Sequence, residues 1–144
     1  MGTSNPVTIT IETIVHSPVE SVWNYWTEPK HITQWNKASD DWHTPYAEND
    51  LRVGGKFLSR MEAKDGSFGF DFSGVYDEVS TNESIAYSMA DGRKVKTLFI
   101  RQDNDTKIIT SFEAEGNNSV EMQQAGWQAI LDNFKKYVET AKEE

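Results

Sequence analysis

Apolar residues take every second position from Val7 to Val15: Val7, Ile9, Ile11 and Val15 share one parity, and Thr8, Thr10 and Glu12 the other. Successive side chains of an extended chain point to opposite faces, so this segment predicts a half-buried strand. The alternation stops at Ser17-Pro18-Val19-Glu20. Ser17 is a candidate cap, Pro18 suits a first helical position, and Glu20 completes a capping-box spacing. A short helix to about Trp26 follows, and Pro29 starts a second one reaching about Trp35, with Val22, Trp23 and Trp26 as the apolar side. Asn36 to Asn49 has no clear period and reads as a long loop with Trp42 and Tyr46 embedded in it, both suitable lid residues.

From Asp50 the pattern turns into hairpins. Leu51 to Lys64 reads as a strand, with a break at Gly54-Gly55, and Asp65-Gly66 is a tight-turn signal. Phe68 to Val79 follows, with Phe68, Phe70, Phe72 and Tyr76 on one parity. Glu83 to Ala90, the turn Asp91-Gly92, Arg93 to Gln102, and Thr106 to Glu115 complete a meander of about five strands. The last element has a different period. Trp127, Ile130, Leu131, Phe134, Val138 and Ala141 recur at steps of three and four, which is one face of a long helix. Asn118 and Glu121 stand at capping-box spacing before it.

One long amphipathic helix needs one apolar surface, and an alternating meander offers one. The predicted architecture is therefore α+β: a curved antiparallel sheet of about six strands wrapped around the C-terminal helix. Two short helices close one end, and the first strand pairs beside the last. The 144 residues fit a single domain, 1–144, with room for a full core.

Composition narrows the function. Lys and Arg number 14 against 23 Asp and Glu, a net charge of -9, and the one basic cluster, Arg93, Lys94 and Lys96, reads as a solvated hairpin tip. No nucleic-acid partner is expected, because phosphate binding needs a basic face. The same balance opposes adhesion to anionic membranes, and no apolar run has the length of a membrane span. Met1 to Pro6 shows no basic region and no apolar run, so no secretory signal is expected, and the absence of cysteine suits a cytoplasmic location.

A set of short motifs then acquires meaning from its order. Ser17-Pro18-Val19-Glu20-Ser21-Val22-Trp23 is followed by Trp26-Thr27-Glu28-Pro29 and Trp35, then by Val53-Gly54-Gly55-Lys56-Phe57. Gly74-Val75-Tyr76-Asp77-Glu78-Val79 comes next, and Gly126-Trp127 with Leu131, Asn133 and Phe134 closes the series. Taken together these resemble the family named after the activator of the heat-shock-protein-90 ATPase. The resemblance implies the helix-grip fold of the START-like superfamily, whose members often enclose a cavity between sheet and long helix. They include lipid carriers, plant hormone and allergen proteins, polyketide cyclases and dehydratases. A chaperone partner is also implied.

Candidate chemistry is sparse. His16, His31 and His43 share no metal-ligand spacing, and structural or exposed roles outweigh catalysis for each; His43 with Asp40 or Asp41 is the one conceivable metal pair, and no metal site is assigned. Gly66-Ser67-Phe68-Gly69 lies in a hairpin rather than a strand-to-helix elbow, and Gly54-Gly55 lacks the Lys-Ser/Thr of a phosphate loop. No dinucleotide fingerprint occurs and no cofactor is assigned. Acid–base candidates on strands are Arg60, Glu62, Asp71, Arg101 and Glu113, each able to face either way. No catalytic residue is assigned.

The aromatic set says more. Trp26, Trp35, Trp42, Phe57, Phe70, Phe72, Tyr87, Phe99, Trp127 and Phe134 are candidates to line one interior, against the plain alternative of ordinary core. Leu131 joins them from the helix, Met61 and Met89 add adaptable walls, and Ser59, Ser88 and Thr97 are candidates to orient a polar group. The leading expectation is a non-catalytic protein holding an apolar or amphipathic small molecule between the sheet and Trp127, Leu131 and Phe134. The alternatives are a protein-interaction module like the chaperone activator, and a cyclase- or dehydratase-like enzyme acting on a hydrophobic substrate.

Overall fold

Alternation becomes strand and the three-four period becomes helix in the computed structural model, which describes residues 7–116 and 118–141. Met1 to Pro6, read above for a leader, lie outside the described residues. The elements are β1 (Thr8–Val15), α1 (Val19–Thr27), α2 (Pro29–Trp35), β2 (Trp42–Asn49), β3 (Lys56–Ala63), β4 (Gly69–Ser80), β5 (Ser84–Met89), β6 (Lys94–Gln102), β7 (Asp105–Glu113) and α3 (Val120–Ala141).

The strands form one curled antiparallel sheet of seven strands in the order β1-β7-β6-β5-β4-β3-β2. β1 lies beside β7, in the register Ile9 opposite Phe112 and Ile11 opposite Thr110. That register sets the inward parity of both strands, and Ile9, Ile11, Ile108 and Phe112 are all buried against the helices. α3 crosses the concave face, giving the helix-grip fold. Its Leu131, Phe134 and Val138 are almost wholly buried, each contributing roughly 1.5–3 kcal/mol of apolar transfer.

Several local expectations change. The segment from Asn36 to Asn49 is not all loop, because Trp42–Asn49 pairs with β3 as the seventh strand. Ser17 does not cap α1. Pro18 takes the capping position without a side-chain bond, while the Ser17 carbonyl accepts the Thr106 hydroxyl at 2.8 Å and Glu20 bonds Arg101. α3 is capped by Ser119, whose hydroxyl accepts the Met122 N–H at 3.1 Å; Asn118 is bonded to Glu115 instead. Gly54-Gly55 precedes β3 rather than interrupting a strand.

The strand directions place two kinds of structure at opposite ends. The β3–β4 and β5–β6 turns and the β7–α3 connection lie at one end, since β3, β5 and β7 all run toward it. Asp91-Gly92 makes its turn with Gly92 at φ 93, a left-handed backbone that glycine adopts at little cost. α1 and α2 follow β1 and sit at the other end.

Candidate functional site

Between the concave face of the sheet and the N-terminal half of α3 lies a cavity of about 390 Å³. Its walls follow from strand parity. Phe57, Ser59 and Met61 alternate inward from β3, Phe70 and Phe72 from β4, Tyr87 from β5, Val95 and Thr97 from β6, Thr110 from β7 and Ile11 from β1. Trp127, Ile130 and Leu131 form the helical wall, and Trp26, Ile32, Trp35 and Asn36 the floor. Arg93, Glu115, Asn118 and Gln123 complete the lining near the turn end.

The aromatic rings hold one another in place. The Trp127 indole stacks flat on Phe112, with centroids 3.9 Å apart and planes 10° off parallel, and meets Phe72 edge-on at 6.2 Å. Phe57 lies against Phe72 at 5.7 Å and Tyr87 at 4.7 Å. Trp26 is wedged between Trp35 at 5.1 Å, Phe99 at 5.5 Å and Phe134 at 4.8 Å. Such contacts fix ring orientations and leave the remaining space shaped rather than collapsed.

Few polar groups interrupt this surface. Thr97 and Thr110 bond each other across the β6–β7 pair at 2.9 Å. Gln123 clamps the β7–α3 connection: its Oε1 accepts the Glu115 N–H at 2.9 Å, and its Nε2 donates to the carbonyls of Glu115 at 3.0 Å and Asn118 at 2.9 Å. Tyr87 and Ser59 hold hydroxyls with no bonding partner among the described residues. Burial pushes the Tyr87 phenol well above its ordinary pKa, so it stays protonated and can donate.

The structure brings together on the wall Trp26, Trp35, Phe57, Ser59, Met61, Phe70, Phe72, Tyr87, Trp127 and Leu131. Other residues named from sequence stand elsewhere. Phe99 and Phe134 pack behind Trp26, and Met89 is buried in the core cluster. Trp42 packs on Phe68 at 5.9 Å and Phe70 at 6.0 Å at the β3–β4 turn, outside the cavity. Tyr46 is half exposed on edge strand β2 and bonds Glu48, so neither it nor Trp42 forms a lid. Ser88 faces outward, donating to Asp77 at 2.7 Å and accepting from Lys94 Nζ at 2.7 Å.

The acid–base candidates also face away. Arg60 donates to Glu62 at 2.9 Å and Asp71 at 3.3 Å on the convex face, with His43 3.6 Å from Glu62. Arg101 pairs with Glu20, and Glu113 accepts the Lys94 N–H at 2.7 Å. No group of three His, Cys, Asp or Glu placed to hold a metal occurs among the described residues. The basic cluster divides: Lys94 and Lys96 pair outward with Asp77 and Glu78, while Arg93 joins the cavity wall. Sequence reading passed over Arg93, Glu115, Asn118 and Gln123. For Arg93 the signal was present, since it lies two residues before inward-facing Val95 and shares its parity.

Residues 16–139 match the family model of Activator of Hsp90 ATPase homolog 1-like protein. The fold is similar to the solution structure of the AHSA1-like protein from Aeromonas hydrophila, with 45% identity, TM-score 0.90 and 96% of each chain covered. It is also similar to a solution structure from Cytophaga hutchinsonii, with 51% identity, TM-score 0.81 and 95% of each chain covered. A protein from Nitrosomonas europaea shares the fold at 17% identity, TM-score 0.81, over 95% of this chain and 97% of that one. No curated protein matches the chain.

Proposed function

Since the chain belongs to the Activator of Hsp90 ATPase homolog 1-like protein family, we propose that it acts as a non-catalytic, cytoplasmic binding protein for one apolar or amphipathic small molecule, held between the sheet and α3. The observation that carries this reading is the cavity of about 390 Å³, walled by aromatic and aliphatic side chains with a few polar groups between them. Catalysis is not needed to account for it, because the strand carboxylates that would serve acid–base chemistry lie on the convex face or at the surface. Glu115, the carboxylate on the lining, is engaged by Asn118.

Magnitudes define what such a site holds. A ligand removing about 300 Å² of apolar surface from water gains on the order of 7 kcal/mol. Association and ordering take back several kcal/mol of that. A purely apolar guest is therefore held weakly, and tight binding depends on polar contacts at the wall.

The test uses N-phenyl-1-naphthylamine, a neutral probe that brightens in apolar surroundings. Wild-type protein is expected to give a fluorescence rise that saturates at one probe per chain. Ser59→Phe fills the cavity from β3 and is expected to abolish the rise while the protein still melts cooperatively. A non-saturating signal, or equal binding by the folded variant, contradicts the reading.

A further inference from the structure

The cation on the cavity wall is Arg93, paired on one side with Asp91. Arg93 carries five guanidinium protons. Its Nε donates to Asp91 Oδ2 at 2.7 Å and its Nη1 to the Glu113 carbonyl at 3.4 Å. The other Asp91 oxygen is occupied by the Arg93 backbone N–H at 3.1 Å. Nη2 is left with no acceptor among the described residues. Glu115, the carboxylate on the lining, directs its oxygens at Asn118: one accepts the Asn118 N–H at 2.6 Å and the other accepts Asn118 Nδ2 at 3.1 Å.

Position reinforces the sign. Val95 is paired with Tyr87 across β5 and β6. Arg93 lies two residues from Val95, so it stands roughly 7 Å along the strand from the row that holds Tyr87. The Tyr87 hydroxyl, kept protonated by burial, lines the same cavity and feels the Arg93 charge. The Ser59 hydroxyl is a further open polar group on that wall. The neutral amides of Asn36 and Asn118 offer both donor and acceptor and do not change the balance.

We propose that the cavity selects amphipathic molecules bearing a carboxylate, with the apolar body under Trp127 and Leu131 and the carboxylate on Arg93 Nη2 beside the Tyr87 hydroxyl. This rests on the ligand-binding reading above. A carboxylate loses strong hydration on entering an apolar cavity, and only charge-assisted donors offset that loss. Elsewhere the chain, at net charge -9, repels anions, so the selection is local to Arg93.

Displacement of bound N-phenyl-1-naphthylamine by decanoate, 1-decanol and decylamine tests it at about pH 8, where the acid is ionised. In wild type, decanoate is expected to displace the probe at a concentration about tenfold or more below that of decanol, with decylamine weakest. In Arg93→Gln the ratio of decanol to decanoate is expected to fall to near one, and Arg93→Lys to retain part of the preference. Equal displacement by decanoate and decanol in wild type overturns the proposal, as does a preference for decylamine or an acid preference that survives Arg93→Gln. Those outcomes leave the cavity's binding role standing. Failure of the neutral probe itself to bind removes that role and this inference together.

Discussion

An added Cβ at Gly74 would stand 2.8 Å from Phe57 Cε2 and 2.7 Å from the Ser88 carbonyl oxygen. The missing side chain on β4 is thus what leaves room for the Phe57 ring, which forms part of the cavity wall. Gly74→Ala is expected to lower stability by about 1–3 kcal/mol and to weaken probe binding, because the ring must move into the cavity. Equilibrium denaturation and the probe titration read the two effects separately; an unchanged wall would leave probe affinity at its wild-type value. Arg93 teaches a different lesson at the same scale. A basic residue beside Lys94 and Lys96 in a turn reads as solvated when counted by charge, yet its parity matches Val95 and takes it inward. Charge class and strand parity conflicted there, and parity decided.

Among the elements, α2 and α3 are tied by polar bonds in addition to packing. His31 Nδ1 lies 2.8 Å from the Tyr137 hydroxyl, and Asn133 Nδ2 donates to the Trp35 carbonyl at 2.8 Å. Tyr25 packs edge-on against both rings, at 4.5 Å from His31 and 5.7 Å from Tyr137. Burial holds the His31 imidazole below its ordinary pKa of 6.5, with Glu28 raising it and Lys30 lowering it to lesser extents. Folded protein therefore binds fewer protons at His31 than unfolded protein does, and stability rises with pH in that window. Acidification from the ordinary value down through the lowered folded value removes the contribution. Wild type is expected to lose melting temperature more steeply between about pH 7 and about pH 5 than His31→Asn does. Parallel profiles for the two proteins would show that His31 does not couple the helices to pH.

The elements also show what patterning conveys and what it hides. β1 and β7 were legible because one face of each is buried and their alternation is clean, as was α3 from Trp127 to Val138. β2 was not. It is an edge strand carrying Pro45, its register to β3 shifts between His43 and Tyr46, and most of its side chains are partly or fully exposed. Edge strands tolerate proline because an outward N–H is not needed, and a bulge breaks the period-two signal. The aromatic set was legible as inward-facing but not by depth. Phe99 and Trp26 both point inward, yet Phe99 packs behind Trp26, and only the three-dimensional arrangement separates core from wall.

For the whole molecule, curvature and closure make the site. A seven-stranded sheet wrapped on α3, with α1 and α2 across one end of its inner face, leaves the cavity between sheet and helix. Among the described residues no helix is long and apolar enough to cross a membrane. The central claim is that this enclosed space holds a small molecule. The most direct measurement is native mass spectrometry of the protein purified from its own organism, followed by denaturation and identification of whatever is released. The account predicts one additional mass per chain, freed by organic solvent and missing from Ser59→Phe. The same bare mass for both proteins, in native and denaturing conditions alike, together with no saturable binding of N-phenyl-1-naphthylamine, would contradict it.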